Sequence, residues 1–367
     1  MKTKSIILSA GLISLLILAG CKEKPSDGNV STATAQAEKT TVTAPTDELA
    51  KRVLAMGLKP IPTDANELKK LTEDVNNTFS EAKIELGKKL YFDPRLSQSS
   101  LISCNTCHNL ALGGVDGVEA AIGDKWTANP HHLNSPTVYN SVFNKSQFWD
   151  GRSPHLEDQA QGPMQASPEM ASSKELIEQR VVSIPAYVDE FKKAYGDDVK
   201  ITFELIARTI GLFERTLVTP SRFDDFLNGD SNALTAEEKE GLKLFADKGC
   251  TACHTGINLG GDMQSFDAQG IYKYKDVGDF KGNANKMVKT PTLRNIEETA
   301  PYYHNGKVWT LKEAIQEMGR VQLNTQISDE DAAKIETFLK SLTGRKPAVT
   351  YPVLPASTQI TPQPIVK

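Results

Sequence analysis

The chain has 367 residues, of which 39% are hydrophobic and 24% are charged, and a formal net charge of −4 at pH 7. This length allows roughly two domains, and the composition is that of an ordinary globular protein. No block of Lys and Arg stands out, so nucleic acid is not an expected partner.

The first twenty residues are typical of a secretory signal peptide, because Lys2 and Lys4 precede an apolar run that ends in small residues. The ending Leu-Ala-Gly-Cys resembles a bacterial lipobox and predicts that Cys21 carries lipid and anchors the protein to a membrane. An ordinary signal peptide with an incidental cysteine is the alternative. Residues 21–45 contain almost no large apolar residue, so they are interpreted as a lipidated N-terminus and a flexible tether.

Two C-x-x-C-H motifs follow in the chain. A zinc site would accept four cysteines at these spacings and a redox dithiol would need one pair, but neither explains a histidine after both pairs. C-x-x-C-H is the attachment signature of c-type haem, in which two thiols face one side of a helical turn and the histidine ligates the iron. The sequence therefore predicts two covalently bound haem c groups, held by Cys104, Cys107 and His108 and by Cys250, Cys253 and His254.

Each motif lies between two amphipathic helices. Residues 85–93 and 240–247 carry apolar positions three to four apart, and Ser80 and Thr235 are candidate N-caps. Further amphipathic helices are predicted at about 202–217 and 328–342. The fold class is therefore predicted as all-α, with two cytochrome c-like domains, long connecting loops and little or no β structure. The expected domains are residues 46–219 and 220–345, followed by a C-terminal tail, 346–367.

The two halves match at a constant offset of 155 residues, and the match contains one informative difference. Pro136 aligns with Pro291 and Asn140 with Asn295, whereas Met318 aligns with Pro163. Methionine is a common second axial ligand of haem c, and proline cannot ligate iron. The haem at His254 is therefore expected to be closed by Met318, and the haem at His108 to lack a methionine. A plain core role for Met318 is the alternative.

Polar groups flank Pro163. A carboxylate such as Glu169 can move a proton between the two oxygens of a bound peroxide, and the Gln159 amide could orient the peroxide. A solvated loop is the alternative for both residues. Trp149 lies between the two haem segments, where it is a candidate redox bridge or a large core residue.

The segments "CNTCHNL", "FNKSQFWDGRSP", "QAQGPMQASPEM", "GCTACHTGINLGG" and "TLRNIEETAPYYHNGKVWTLKEAI" together resemble those of the bacterial dihaem cytochrome c peroxidases. The resemblance covers about residues 47–355. It implies that His108 serves a low-potential peroxidatic haem, and that His254 and Met318 bind a high-potential haem that receives electrons. It also implies a peroxide pocket made of Gln159, Pro163 and Glu169, with Trp149 between the haems.

The resemblance further implies a calcium ion between the domains, bound by the Asn134 side chain and by the backbone carbonyls of Thr299 and Pro301. It implies a homodimer, and a tail that folds back on the first domain. One position departs from the family, because Asp124 stands where many members carry a distal histidine that closes the peroxidatic haem at rest. Either His131 or His132 replaces that histidine, or the first haem is open at rest.

The function expected from these observations is that of a periplasmic, membrane-anchored lipoprotein peroxidase. It would reduce hydrogen peroxide to water with electrons from a small cytochrome c or cupredoxin, entering at the His254/Met318 haem and passing to the His108 haem. Two alternatives are kept: a dihaem electron-transfer protein without peroxidase activity, and a haem oxidase that acts on a partner protein.

Overall fold

The computed structural model describes residues 45–266 and 270–366. The predicted signal peptide, the lipid site at Cys21 and the tether up to residue 44 lie outside these residues. Within them the chain is mainly helical, and the two strands β1 (Met263–Ser265) and β2 (Met287–Lys289) form one antiparallel pair. The predicted all-α class with little β structure is confirmed. No helix in the described ranges combines the length and apolarity needed to cross a bilayer.

Thirteen α-helices are found in the described residues, in addition to short 3-10 turns at the second haem motif and in the loops. Their bounds are α1 Glu48–Ala55, α2 Ala65–Thr72, α3 Glu81–Phe92, α4 Cys104–Cys107, α5 Leu156–Gln159, α6 Gln161–Gln165, α7 Lys174–Val182, α8 Pro185–Tyr195, α9 Phe203–Glu214, α10 Arg222–Leu227, α11 Ala236–Asp247, α12 Leu311–Gln322 and α13 Asp329–Lys340.

The predicted N-caps begin the two helices that precede the haem motifs. The Ser80 hydroxyl accepts a hydrogen bond from the Lys83 N–H at the start of α3. At the start of α11, Thr235 and Glu238 form a capping box, each side chain accepting from the backbone N–H of the other. These bonds satisfy N–H groups that have no partner inside the helix, which explains why the helices begin there.

A glycine lets the helices cross closely in each half. A Cβ added at Gly87 of α3 would lie within 3.0 Å of the Thr209 carbonyl oxygen in α9. A Cβ added at Gly241 of α11 would approach the Lys334 carbonyl oxygen of α13 in the same way. The repeat seen in the sequence is therefore a repeat of packing, in which the helix before each haem motif crosses the closing helix of the same half.

Two hydrophobic cores correspond to the two halves. One contains Leu86, Leu90 and Phe213, and the other contains Leu242 and Phe338. The second core also includes Ala50, Val53 and Leu58, so α1 packs with the second half although the predicted boundary assigns it to the first. The reason is physical, since the amphipathic face of α1 is covered by α10 and α11 rather than by α3.

The halves meet at a shared hydrogen-bonding centre. Asn140 and Asn295, equivalent at the offset of 155, both adopt the left-handed conformation, with φ of 60° and 59°. The side-chain amides of both residues donate to the Thr219 hydroxyl, at 2.7 and 2.9 Å. Both asparagines are fully buried. This centre fixes the loops that follow the two haem motifs against each other.

Candidate functional site

The first C-x-x-C-H motif forms a single helical turn, α4. The Ser103 N–H donates to the Thr106 hydroxyl at 2.9 Å, which caps the turn. Cys104 and Cys107 form no disulfide. Burial raises the pKa of both thiols. Two free, half-buried thiols on one helical turn are the arrangement that covalent haem attachment requires.

The His108 ring is oriented by a backbone contact. Its Nδ1 lies 2.9 Å from the Pro136 carbonyl oxygen, which can only accept, so Nδ1 carries the hydrogen. Nε2 is then the nitrogen with the free lone pair, as a haem ligand needs. Burial lowers the pKa of His108, which favours the neutral ligand form. Tyr91 also donates to the His108 carbonyl, at 2.5 Å, and holds the backbone of the motif.

The second motif has the same design with a different backbone partner. His254 Nδ1 lies 2.9 Å from the Leu259 carbonyl oxygen, and burial lowers the pKa of this ring as well. Cys250 and Cys253 are also free of disulfides. The residues of both motifs therefore fit a c-type haem in the chemistry of their donors and in the orientation of their imidazoles.

A large cavity opens at the second motif and encloses about 1630 Å³ of empty space, including its open mouth. Cys250, Cys253 and His254 line it, together with Met318 of α12. The fold thus brings His254 and Met318 to one space although 64 positions of sequence separate them. The assignment of Met318 as a ligand remains a prediction that this placement supports.

The candidate peroxide pocket is built from a turn and the loop after it. Gln159 ends α5, Pro163 lies inside α6, and Glu169 follows in a loop whose next residue, Met170, donates its N–H to the Pro163 carbonyl oxygen at 3.1 Å. Burial raises the pKa of Glu169, and Arg152 opposes that rise. The Glu169 charge acts on the Cys107 thiol, which relates this loop to the first haem motif.

The segment with the departure from the family packs directly on this loop. The Asp124 N–H donates to the Glu169 carbonyl oxygen at 2.6 Å, and Asp124 is 8% exposed. His131 pairs with Asp279 at 2.9 Å, and His132 Nε2 lies 3.7 Å from a Glu119 carboxylate oxygen. The proposed role of either histidine as a distal ligand stays a prediction.

Trp149 lies between the halves. It is 9% exposed, its Nε1 donates to the Asn134 carbonyl at 3.0 Å, and its ring is 6.4 Å from that of His304. The remaining predicted calcium residues, Thr299 and Pro301, line the same cavity as Asn134. The Asn134 amide nitrogen donates to the Val118 carbonyl, so the amide oxygen is left for a cation. Oxygen donors of this kind suit calcium.

The sequence analysis did not identify one charged residue of the site, Lys289. Lys289, at the end of β2, lines the cavity at the second haem motif and is 5% exposed. Burial lowers the pKa of Lys289 to about 8. The repeat held the signal that could have identified it, because Lys289 is equivalent to the predicted calcium ligand Asn134 at the offset of 155.

Comparison with known proteins agrees with this geometry. The family model "Di-haem cytochrome c peroxidase" matches residues 81–232, and a cytochrome c model matches residues 238–343. The chain is 48% identical over 320 residues to a cytochrome c551 peroxidase of Pseudomonas aeruginosa, covering 83% of this chain and 90% of that one. It is 47% identical over 289 residues to a cytochrome c551 peroxidase of Nitrosomonas europaea, covering 76% and 85%.

Among solved structures, a MauG-like protein associated with microbial copper homeostasis superposes with a TM-score of 0.64 and 27% identity, covering 74% of this chain and 92% of that one. The two haem motifs and their oriented histidines lie within the ranges covered by the family models. The chain belongs to the di-haem cytochrome c peroxidase family.

Proposed function

We propose that this protein is a periplasmic peroxidase that reduces hydrogen peroxide to water. Each peroxide takes up two electrons and two protons and gives two molecules of water. The electrons come from a small cytochrome c or cupredoxin, enter at the haem of His254 and Met318, and pass to the haem of His108. Membership of the di-haem peroxidase family supports this assignment.

The observation that carries the proposal is the inequality of the two sites. Met318 and His254 line one cavity, so the second haem would have two protein ligands and would serve electron transfer. At the position equivalent to Met318, the first half has Pro163, which offers no donor to iron. The loop of Pro163 instead carries Glu169, a partly buried carboxyl group that can exchange a proton with a substrate.

The residues of this chain then have distinct roles. A bound haem would supply the redox-active iron at each site, and His108 and His254 would hold the two irons as protein ligands. Glu169 takes a proton from one peroxide oxygen and delivers it to the other, and the Gln159 amide orients the peroxide. Trp149, buried between the halves, is the candidate path for electrons.

Further parts of the proposal concern cofactors and location. Two covalent haem c groups and a calcium ion at Asn134, Thr299 and Pro301 complete the protein. Lipid on Cys21 anchors it to a membrane, and it forms a homodimer. Mass spectrometry of the mature protein, metal analysis and light scattering test the lipid, the calcium ion and the dimer separately.

Stopped-flow mixing of the protein with reduced donor cytochrome and hydrogen peroxide tests the activity. We expect oxidation of the donor that depends on peroxide and saturates with it. Absence of this oxidation in the fully oxidised, half-reduced and fully reduced protein would reject the proposal. EPR of the oxidised protein reports whether the first haem is high-spin and open or low-spin with His131 or His132 bound.

The two alternatives predict different results. A dihaem electron-transfer protein would show two low-spin haems and no peroxide-dependent turnover. A haem oxidase of a partner protein would act without a small electron donor. Met318 disfavours this alternative, because haem oxidases related to this family are expected to carry tyrosine at the position of Met318.

A further inference from the structure

The close helix crossing matches the closing helices of the two halves residue by residue. A Cβ added at Gly87 would lie 2.8 Å from the Phe213 Cβ, and a Cβ added at Gly241 would lie 2.8 Å from the Phe338 Cβ. Each phenylalanine ring also packs on an aromatic ring of the helix that it crosses, with 5.4 Å between ring centroids in both halves. Phe213 of α9 and Phe338 of α13 are therefore equivalent in packing, and so are the residues that follow them.

The following residue is a carboxylic acid in the first half and an apolar side chain in the second. Leu339 lines the cavity at the second haem motif together with His254. Glu214 holds the equivalent place in the first half, and its charge acts on the Cys104 thiol, to which the first haem would be attached. Packing and electrostatics thus both place the Glu214 carboxyl group beside the first haem motif.

The Glu214 carboxyl group is buried next to an ion pair that leaves it without a partner. Glu214 is 6% exposed, and among the described residues its Oε2 atom has no hydrogen-bond partner. The neighbouring Arg215 guanidinium donates to both carboxylate oxygens of Glu157, at 2.6 and 2.9 Å. Asp74 lies 3.8 Å from Arg215, and His155 lies 3.2 Å from Glu157. Burial raises the pKa of Glu214 to about 8, and repulsion from Glu157 adds to the rise while Arg215 opposes it.

The other ionisable groups on the helices around α9 are neutral or engaged elsewhere. Tyr91 of α3 and Cys104 of α4 both feel the charge of Glu214, and burial raises the pKa of both, so they stay neutral. Helix α6 contains no ionisable residue. The remaining charged residues of α3, α5 and α7 are hydrogen-bonded, ion-paired or exposed, and they are Glu81, Lys83, Glu85, Lys88, Lys89, Asp158, Lys174, Glu175, Glu178 and Arg180. The charge of Glu214 therefore depends on burial, on its ion-paired neighbours and on the charge at the haem site.

We propose that Glu214 takes up one proton from solvent when the haem held by His108 gains one electron, and that the ionised Glu214 lowers the reduction potential of this haem. The inference rests on the proposed haem at His108 and on its supply of electrons through the second haem. An added electron favours protonation of a nearby carboxylate, and the carboxylate disfavours the electron by the same free energy. Leu339 cannot ionise, so the difference in potential between the two haems should widen as the pH rises.

Spectroelectrochemical titration of the complete dihaem protein at a series of pH values tests the proposal. In the unmodified protein we expect the reduction potential of the first haem to fall as the pH rises through about 8. E214Q is neutral at every pH, so this fall should disappear. On the alkaline side, the equilibrium constant for reduction of the first haem should be at least about tenfold higher in E214Q, which is about 59 mV for a one-electron couple. On the acid side, where Glu214 is protonated, the two proteins should agree within about threefold.

Two further variants make the result specific to the buried carboxyl group. E214L introduces the side chain found at the equivalent place in the second half and should also abolish the fall. E204Q removes a carboxyl group of the same helix whose side chain is 56% exposed, and it should keep the fall. A potential of the first haem that does not fall in the unmodified protein, a fall that persists in E214Q and E214L, an equal change at the second haem, or loss of the fall in E204Q would each overturn the proposal. Failure of the peroxidase function would appear separately, in the stopped-flow assay, because the titration uses no peroxide.

Discussion

Backbone hydrogen bonds of Glu169 and of its neighbour Met170 hold the loop that carries the Glu169 carboxyl group. Its carbonyl accepts from Asp124, and the loop closes on Pro163 through Met170. A side chain on a loop fixed in this way loses little conformational freedom when substrate binds. Proton transfer in a small pocket requires such a pre-oriented group. The neighbouring backbone thus restricts the position of Glu169, although the local sequence alone is typical of a solvated loop.

Glu169→Gln should reduce kcat for peroxide by about 10²-fold or more, because the amide cannot exchange the proton. Steady-state assays with a reduced donor measure the loss, and absorption spectra should show two intact haems. Glu175→Gln, an exposed change on α7, serves as the matched control. Equal activity in both variants would contradict the proton-transfer role.

The dependence of kcat/KM on pH should also show the role of Glu169. Burial raises the pKa of Glu169 above its ordinary value of 4.5. The carboxylate that accepts the proton is therefore lost as the pH falls through a value higher than 4.5. We expect kcat/KM to decline on that acid side in the unmodified protein, measured after reduction of the second haem. Glu169→Gln should remove this limb from the residual rate, and persistence of the limb would assign it to another group.

Met318→Leu should open the second haem, since leucine matches the volume of methionine but has no sulfur to donate. EPR should show a high-spin signal from that haem, and its reduction potential should fall. Met164→Leu is the same substitution at a buried methionine in the first core and should leave both haem spectra unchanged. Unaltered spectra in Met318→Leu would mean that Met318 is a core residue.

At the level of elements, one close helix crossing precedes the haem motif in each half. α3 crosses α9 and α11 crosses α13, each at a glycine whose added Cβ would meet a backbone carbonyl. Backbone cannot move aside as a flexible side chain can, so these two positions tolerate no larger residue without shifting a helix. The second motif begins three residues after the last residue of α11, at Cys250, whereas a longer segment with its own 3-10 turn separates α3 from Cys104.

Gly87→Ala and Gly241→Ala should each destabilise the protein by about 1–3 kcal/mol through overpacking. Alanine is otherwise better than glycine inside a helix by roughly 0.5–1 kcal/mol, so the sign of the effect separates the two causes. Chemical denaturation of the holoprotein measures it, with the exposed Glu237→Ala in α11 as control. An increase in stability would show that the helices can separate.

At the level of the whole molecule, the C-terminal segment is bound to the first half by a buried arginine. Arg180 is 1% exposed, and its guanidinium donates to the carbonyls of Pro362 and Gln363 in that segment. The same group donates to the carbonyls of Arg95, Ser97 and Gln98, ahead of the first haem motif. The Gln98 N–H donates to the Met170 carbonyl, so the bonds continue to the Glu169 loop.

Deletion of residues 347–367 should therefore weaken the first half, because Arg180 loses two hydrogen bonds and Arg95 loses two more, and the buried Arg180 guanidinium is left partly unpaired. The loss should be roughly 3 kcal/mol or more. Differential scanning calorimetry of the holoprotein should show a lower melting temperature. Val353→Ser, a change in the same segment at a side chain that is 87% exposed, should have no effect. A melting temperature unchanged by the deletion would show that Arg180 finds equal partners elsewhere.

Local chemistry explains why much of this protein could be predicted from its residues. Two C-x-x-C-H motifs specify thioether attachment and one axial ligand each within five positions, and N-caps such as Ser80 and Thr235 act over three residues. The repeat at an offset of 155 predicted the paired architecture and the difference between Met318 and Pro163. These features can be read from the sequence because they depend on interactions between residues that are close in the chain, or because they occur twice.

Tertiary structure alone decided the features that depend on contacts between distant segments. It placed α1 in the second core, joined Asn140, Asn295 and Thr219 at the centre, and brought Lys289 to the wall of the cavity at the second haem motif. No pattern in a single segment encodes these features, because whether a charge is buried or solvated depends on which surfaces cover it. The haem motifs and the difference between Met318 and Pro163 are thus properties of the sequence, whereas the burial of Asn140 and Asn295 between the halves arises from how the two halves pack.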